Sequence, residues 1–90
     1  MVSLTSYEKS LHVRLRNINS RTVLINSKNM KCFEIDEIGK IIWKGIGKSI
    51  SPVEQLEKNG IELPENLDVV AQDIKDFLDF LIAEELINEV

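Results

Sequence analysis

The chain has 90 residues, enough for one small domain with a single modest hydrophobic core. Hydrophobic residues make up 43% of it, an ordinary share for a soluble globular chain, so wholesale disorder is disfavoured. Eleven basic and fifteen acidic residues give a net charge of -4. That charge opposes non-specific binding to nucleic acid, although a basic patch can survive within an acidic protein.

The single cysteine, Cys32, excludes an internal disulfide and a zinc site built from cysteines. No apolar run approaches the length needed to span a membrane, and the N-terminus lacks a basic region followed by an apolar core. We therefore expect a single-domain cytoplasmic protein, residues 1–90, without a membrane partner.

The first third of the sequence predicts a short arm followed by strands. Residues 1–10 are polar and unpatterned, and we expect a loose N-terminal arm or a lead-in to the first strand. Residues 11–16 alternate apolar and polar side chains, the period of a strand with one buried face. The apolar run Thr22–Ile25 suits a central strand.

The third strand, Met30–Ile35, is predicted to lie at an edge of this sheet. Its alternation puts Phe33 and Ile35 on one face and Cys32 and Glu34 on the other. Consecutive strands with short connections form an antiparallel meander whose first and third strands are the edges. An edge strand has unpaired backbone groups that can accept a strand from another chain. Pairing of two copies through it is a further hypothesis, a weak homodimer.

Two short helices are expected next. Asp36 is a good N-cap, and Gly39, one turn before Trp43, indicates close contact with a neighbouring element because glycine inside a helix is otherwise unfavourable. This helix should end near Gly45–Gly47. Ser51-Pro-Val-Glu54 combines a serine cap, a proline at the first helical position and a capping-box glutamate, which predicts a second helix to about Lys58.

The longest helix is predicted from Leu67 to about Ile87. At about 100° per residue, its core-facing stripe comprises Leu67, Val70, Ile74, Phe77, Leu78 and Leu81. A second, narrower stripe beside it comprises Val69, Asp73, Asp76 and Phe80. Because Val69 and Phe80 lie off the centre of the core, this stripe is a candidate binding surface. A plain core position for Phe80 is the alternative.

No set of residues predicts catalysis. His12 is the only histidine and lies on the polar face of a strand, while Cys32 has no base beside it in the sequence. The carboxylates Asp73, Asp76 and Asp79 lack the histidine or loop ligands of a metal site and are expected to form a solvated face. We expect a non-enzymatic protein without a cofactor or metal.

Three strands with three helices also permit a winged-helix DNA-binding protein. Its groove-reading helix would be Pro52–Lys58, which carries two acids and one base. Contacts to bases and phosphates call for arginine, lysine, asparagine and glutamine, so the helix disfavours this alternative and no nucleic-acid partner is expected. A basic face would be its distinguishing feature.

The order and spacing of several short motifs resemble the PqqD-like proteins. The motifs are Val23-Leu-Ile-Asn26, Phe33-Glu-Ile-Asp36, Gly39-x-x-x-Trp43, Ser51-Pro-Val-Glu54, Asp73-Ile74, Phe77-Leu78, Leu81 and Leu86-Ile87. They extend from the first strand to the C-terminus. These proteins are the recognition elements of pathways that modify ribosomally made peptides, antibiotic biosynthesis among them.

The resemblance implies an α+β, winged-helix-like domain with a three-stranded antiparallel sheet followed by three helices, and no catalysis. In the family, the leader segment of a precursor peptide adds as a strand to the third strand and lies against the third helix. Carried over, the peptide-binding residues are Met30, Lys31, Cys32, Phe33, Glu34, Ile35, Val69, Asp73, Asp76 and Phe80. Side-chain pockets are expected at Cys32, Val69 and Phe80.

The resemblance also implies partners. The chain ends just after the third helix, so a stand-alone element is expected, similar to the small partner proteins of lasso-peptide pathways. Its partner would be a modifying enzyme or a leader peptidase. The start of the third strand, Lys28-Asn-Met-Lys31, lacks the glycine often found near that turn in the family. A general interaction domain or enzyme subunit, binding a folded protein through its edge strand, is a third hypothesis.

Overall fold

The computed structural model describes residues 3–90 and contains a three-stranded antiparallel sheet, a small two-stranded sheet and three helices. The strands are β1 (Tyr7–Lys9), β2 (Val13–Ile18), β3 (Arg21–Asn26), β4 (Lys31–Ile35) and β5 (Ile87–Glu89). The helices are α1 (Glu37–Gly45), α2 (Pro52–Lys58) and α3 (Leu67–Ala83). The predicted α+β class, three antiparallel strands followed by three helices, is confirmed.

The larger sheet has the order β2-β3-β4, so β3 is central and β4 lies at an edge, as predicted. Asn19 and Ser20 alone connect β2 to β3, and both have positive φ, which matches the twist of a tight hairpin. Between β3 and β4, Asn26 lies opposite Lys31. Met30 closes that turn with φ of 61°, the conformation that glycine adopts most easily. The strand therefore begins one residue later than expected.

Side-chain caps fix the starts of the first two helices. The carboxylate of Asp36 accepts a 2.8 Å hydrogen bond from the backbone N–H of Gly39. The hydroxyl of Ser51 accepts from the N–H of Glu54 at 3.2 Å. Both bonds satisfy N–H groups that have no partner within the helix. The predicted limits of α1 and α2 agree with the structure.

The last helix is shorter than predicted, since α3 ends at Ala83 and not near Ile87. Glu85 has φ of 59°, and the N–H of Leu86 donates to the carbonyl of Leu81 at 2.8 Å. This left-handed reversal ends the helix. Leu86 and Ile87 are buried, and Ile87 begins β5. Two adjacent apolar residues fit a helix stripe or a buried strand equally well, which is why the periodicity was misleading.

The expectation of a loose N-terminal arm is wrong for residues 3–10, while residues 1–2 lie outside the described part. Leu4 is 0% exposed, and its backbone N–H donates to the carbonyl of Ile50 at 2.8 Å. β1 pairs with β5, with Tyr7 opposite Glu89. The arm is ordered by a strand about eighty residues further along the chain. Its local sequence gives no sign of that partner.

One core joins the sheet, the helices and the arm. α3 contributes Ile74, Leu78 and Leu81, as predicted, whereas Leu67 at its start is exposed. A β-carbon on Gly45 would lie 2.8 Å from a methyl carbon of Leu4, so glycine is needed for the arm to pack there. Within residues 3–90, no helix has the length and apolar character needed to cross a membrane.

Candidate functional site

The candidate site lies where β4 faces α3. The rings of Phe33 on β4 and Phe80 on α3 meet edge-on, with centroids 5.3 Å apart. Nearer the start of β4, the ammonium nitrogen of Lys31 lies 3.8 Å from a carboxylate oxygen of Glu84. α3 therefore runs in the direction opposite to β4. Among residues 3–90, no strand pairs with the outer edge of β4.

At the other end of β4, α1 and α3 approach closely. A β-carbon on Gly39 would lie 3.1 Å from Cζ of Phe77, so any larger residue would push this ring away. The close contact predicted from the glycine is confirmed. Phe77 also stacks against Phe80, with 6.5 Å between the ring centroids. The three phenylalanines form one continuous aromatic wall along α3 and the inner face of β4.

A cleft of about 440 Å³ extends this wall between α1, α3 and the segment 61–64. Its lining is mainly apolar and includes Ile38, Leu63, Val70 and Phe77. Three exposed carboxylates also line it: Asp36, Glu62 and Asp73. An apolar cleft with a few charged groups at its surface is the usual form of a site for small ligands or peptide side chains.

The predicted residues of α3 separate into two groups. Phe80, 37% exposed, contacts Phe33, and Asp73 lines the cleft. Val69 is exposed and is not among the residues that line the cleft. Asp76 is exposed and accepts a hydrogen bond from the side-chain amide of Gln72 at 2.8 Å. Phe80 and Asp73 thus border the aromatic wall and the cleft, whereas Val69 and Asp76 are exposed on α3. Contact of Val69 and Asp76 with a peptide stays a prediction.

The predicted residues of the edge strand lie in three different environments. Phe33 points toward α3, whereas Cys32 and Glu34 lie on the opposite face of the sheet. Cys32 and Phe80 therefore do not line one pocket. Ile35 is buried in the core, so it offers a ligand only its backbone. Met30 lies in the turn before the strand.

Sequence reasoning missed the part of the cleft formed by α1 and the segment 61–64. Ile38 on α1 is exposed and lines the cleft. Phe77 and Val70 pack against the core, as predicted, but are only half-buried and also line the cleft. The available signal was Gly39, since a helical glycine that admits an aromatic ring marks the place where two helices meet.

The exposed side of α3 is acidic. Asp73, Asp76 and Asp79 lie on it, and Lys75 donates a 2.9 Å hydrogen bond to Asp79. That bond, with the charge of Asp79, raises the pKa of Lys75. Residues 3–90 contain no cluster of three or more histidine, cysteine or acidic side chains placed to hold a metal ion. With three aspartates and one lysine, the exposed side of α3 beside the cleft is negatively charged.

Comparison with solved structures identifies a close structural match. The structure of TbiB1 in complex with the TbiA(beta) leader peptide superimposes with a TM-score of 0.70 and 26% sequence identity, over 90% of this chain and 94% of that chain. The chain shares the fold of TbiB1. The resemblance predicted from the sequence is thereby confirmed, because the matched protein is one that holds a leader peptide. No protein-family model and no curated protein sequence matches the chain.

Proposed function

We propose that this protein binds the leader segment of a ribosomally made precursor peptide and delivers the precursor to a modifying enzyme or a leader peptidase. The observation that carries the proposal is the free outer edge of β4 beside an aromatic wall and an apolar cleft. The same fold in TbiB1 was solved with a leader peptide bound. The protein itself performs no chemistry in this role.

The peptide would add to β4 as a further antiparallel strand. β4 has five residues, so such pairing forms about five backbone hydrogen bonds, each worth about 0.5–1.5 kcal/mol net. Micromolar binding requires about 8 kcal/mol after association costs of several kcal/mol. Backbone pairing alone falls short of that free energy. Side chains of the peptide must therefore bury apolar area as well.

The aromatic wall and the cleft are suited to supply this apolar contact. An added strand directs alternate side chains toward α3, where Phe80 and the cleft beside Phe77 would receive them. Backbone pairing does not distinguish between sequences, so these side-chain contacts also determine which leader is bound. Because the cleft is mainly apolar, it favours aliphatic or aromatic side chains.

We propose that the protein belongs to a lasso-peptide pathway, one route of antibiotic biosynthesis, because the Gly39-x-x-x-Trp43 helix resembles that group. The partner enzyme would then be a separate leader peptidase acting in the cytoplasm, where the precursor is synthesised. A homodimer formed by pairing of two β4 edges would compete with the leader, since both use the same backbone groups.

The alternative of a winged-helix DNA-binding protein is disfavoured by α2. Gln55, the side chain best suited to read a base, is buried and donates to the carbonyl of Ile41 at 3.0 Å. The exposed side of the helix carries Glu54 and Glu57. These carboxylates would face the phosphates of DNA and repel them.

The test is a fluorescence-polarisation titration of the protein against the labelled leader of a precursor encoded beside it, with DNA duplex as competitor. We expect sub-micromolar binding that duplex does not displace. A scan of leaders with single N-methylated backbone amides should weaken binding at alternate residues, since only every second residue of an added strand bonds to β4. Uniform effects along the leader would exclude strand addition. Absence of leader binding would reject the function.

A further inference from the structure

The charged residues of this chain are strongly segregated along the sequence. Residues 9–33 contain six basic residues and no acidic residue, whereas residues 54–90 contain eleven acidic residues and two basic ones. All three arginines of the chain, Arg14, Arg16 and Arg21, belong to β2 and β3. The negative total charge conceals this basic region.

The strand register places these arginines on the side of the sheet that points away from the helices. Leu24 and Ile35 are buried on the inner side, so their neighbours along the strands face outward. The outward rows are Arg14–Ile25–Cys32, Arg16–Val23–Glu34 and Ile18–Arg21. We call these three rows the outer sheet face. Its centre is aliphatic and its β2 side is lined by guanidinium groups.

The guanidinium groups of Arg14 and Arg16 are available to a partner. Nη1 of Arg14 donates to the backbone carbonyls of Leu11 and Val13, and Nη1 of Arg16 donates to that of Leu15. Within residues 3–90, neither arginine lies within ion-pair distance of a carboxylate. Each keeps further N–H donors that can bind a carboxylate in a bidentate geometry.

A shallow depression lies beside the arginines. It has a volume of about 600 Å³ and is lined by Ile18, Asn19, Arg21, Val23, Cys32 and Glu34. Ile18 is exposed although it is aliphatic. An aliphatic centre bordered by arginine is the composition of protein interfaces, in which arginine is enriched and lysine is depleted.

We propose that the outer sheet face docks an acidic surface of the enzyme that acts on the peptide held at β4. The inference rests on the proposed function, because a strand added to β4 extends the sheet and lies beside this face. The peptide cleft is on the inner side of the sheet, so peptide and enzyme can be bound together. The enzyme surface should present carboxylates around an aliphatic patch, complementary to the outer sheet face.

The dimensions of the face predict a weak and reversible contact. Strands about 4.8 Å apart with a rise of about 3.3 Å per residue give three strands of this length a footprint of about 14 by 18 Å. This is smaller than the about 800 Å² that each partner buries in a standard interface. The added peptide strand enlarges the surface, so the enzyme should bind the loaded protein more tightly than the free one.

Nucleic acid fits this face less well than a protein. Single strands are held by aromatic side chains that stack on bases, and the three rows contain none. Glu34 also lies among the arginines and would repel a phosphate; its carboxylate is 3.7 Å from the guanidinium of Arg21. The combination of both charges with aliphatic residues favours a protein surface.

The experiment measures binding of the purified enzyme encoded beside the precursor to the protein loaded with leader, by biolayer interferometry at about 50 and about 300 mM NaCl. The test variant is Arg14→Glu/Arg16→Glu. The matched control, Lys44→Glu/Lys48→Glu, makes the same change of charge at exposed positions near the end of α1. Leader affinity by fluorescence polarisation is measured for every variant.

We expect the arginine variant to bind the enzyme at least tenfold more weakly and to keep its leader affinity within about twofold of the wild type. The lysine variant should lose less than about threefold of its affinity for the enzyme. Equal losses in both variants, or unchanged binding in the arginine variant, would overturn the proposal. So would binding of a DNA duplex or single strand that depends on Arg14 and Arg16. The polarisation measurement on the wild type tests the proposed function separately. If the wild type does not bind the leader, the proposed function itself is rejected.

Discussion

Phe33 and Phe80 meet edge-on across the gap between β4 and α3, with their centroids 5.3 Å apart. Among residues 3–90, this is the only pair of aromatic rings that joins a strand to a helix. It brings the edge strand and the helix beside it into contact. Because Phe80 remains partly exposed, its ring is shared between the fold and the surface that a peptide would contact.

Replacing Phe80 by alanine should weaken leader binding at least tenfold, about 1.4 kcal/mol. The substitution removes one side of the aromatic wall and the edge-on contact, which is itself worth about 0.5–1.5 kcal/mol. We therefore expect only a small fall of the melting temperature. Leader titration by fluorescence polarisation and thermal unfolding measure the two effects.

The matched control for Phe80 is Ile18→Ala, which removes another exposed apolar side chain on the opposite face of the sheet. Its leader affinity should equal that of the wild type. If Phe80→Ala instead lowers the melting temperature strongly and leaves the affinity of the folded protein unchanged, Phe80 is a core residue and not part of the binding surface.

The N-terminal arm should contribute substantially to stability. Leu4 is fully buried, so Leu4→Ala should lower the free energy of unfolding by about 2–5 kcal/mol. Leu11→Ala, at a position that is 86% exposed, should change it by less than about 0.5 kcal/mol. Urea unfolding measures both. Equal, small effects would mean that the arm does not pack as described.

A glycine at position 30, in the turn before β4, should stabilise the protein. Met30 has φ of 61°, a conformation that costs a residue with a β-carbon about 1 kcal/mol. Met30→Gly should therefore raise the melting temperature by about 4–8 °C in a domain of this size. Lys28→Gly, in the same turn but without positive φ, should lower it or leave it unchanged. A lower melting temperature for Met30→Gly would contradict the hairpin register.

Stability should fall in alkaline solution because of Tyr7. Burial, with the charges of Glu89 and Asp79, raises the pKa of its phenol above 10.0. The unfolded chain then loses this proton first, so the free energy of unfolding decreases as pH rises from about 10 through the higher folded pKa. Tyr7→Phe should remove that decrease, as measured by urea unfolding between about pH 8 and pH 11.

In alkaline solution, Lys9 changes the free energy of unfolding in the direction opposite to Tyr7. Burial and the ammonium groups of Lys48 and Lys44 lower its pKa, so its contribution rises with pH up to its unfolded value. The wild type and the Tyr7→Phe variant both contain Lys9, so its contribution cancels when the pH dependence of one protein is subtracted from that of the other. A wild type and a Tyr7→Phe variant with the same pH dependence would show that the phenol is not perturbed by folding.

Much of this fold was predicted from local signals in the sequence. Asp36 and Ser51 cap α1 and α2 at the expected places, because a cap needs only residues within one helical turn. The run Thr22–Ile25 lies in the central strand, as predicted, although only one face of that strand is covered: Leu24 is buried, whereas Val23 and Ile25 are half-buried on the outer sheet face. The edge position of β4 and a close contact at Gly39 were also predicted, but the sequence did not identify α3 as the neighbour.

Only the tertiary structure decided what depends on distant partners. β1 and β5 form because Tyr7 and Glu89 meet, and neither segment has a strong local pattern. The separation of Cys32 from Phe80, and the role of Ile38 and Phe77 in the cleft, follow from how α3 packs against β4 and α1. The outer sheet face arises in the same way, because the register of the hairpin places its arginines side by side. The composition shows only that the whole chain is acidic. Local sequence sets the caps, turns and periods of the elements, whereas contacts between them set the site.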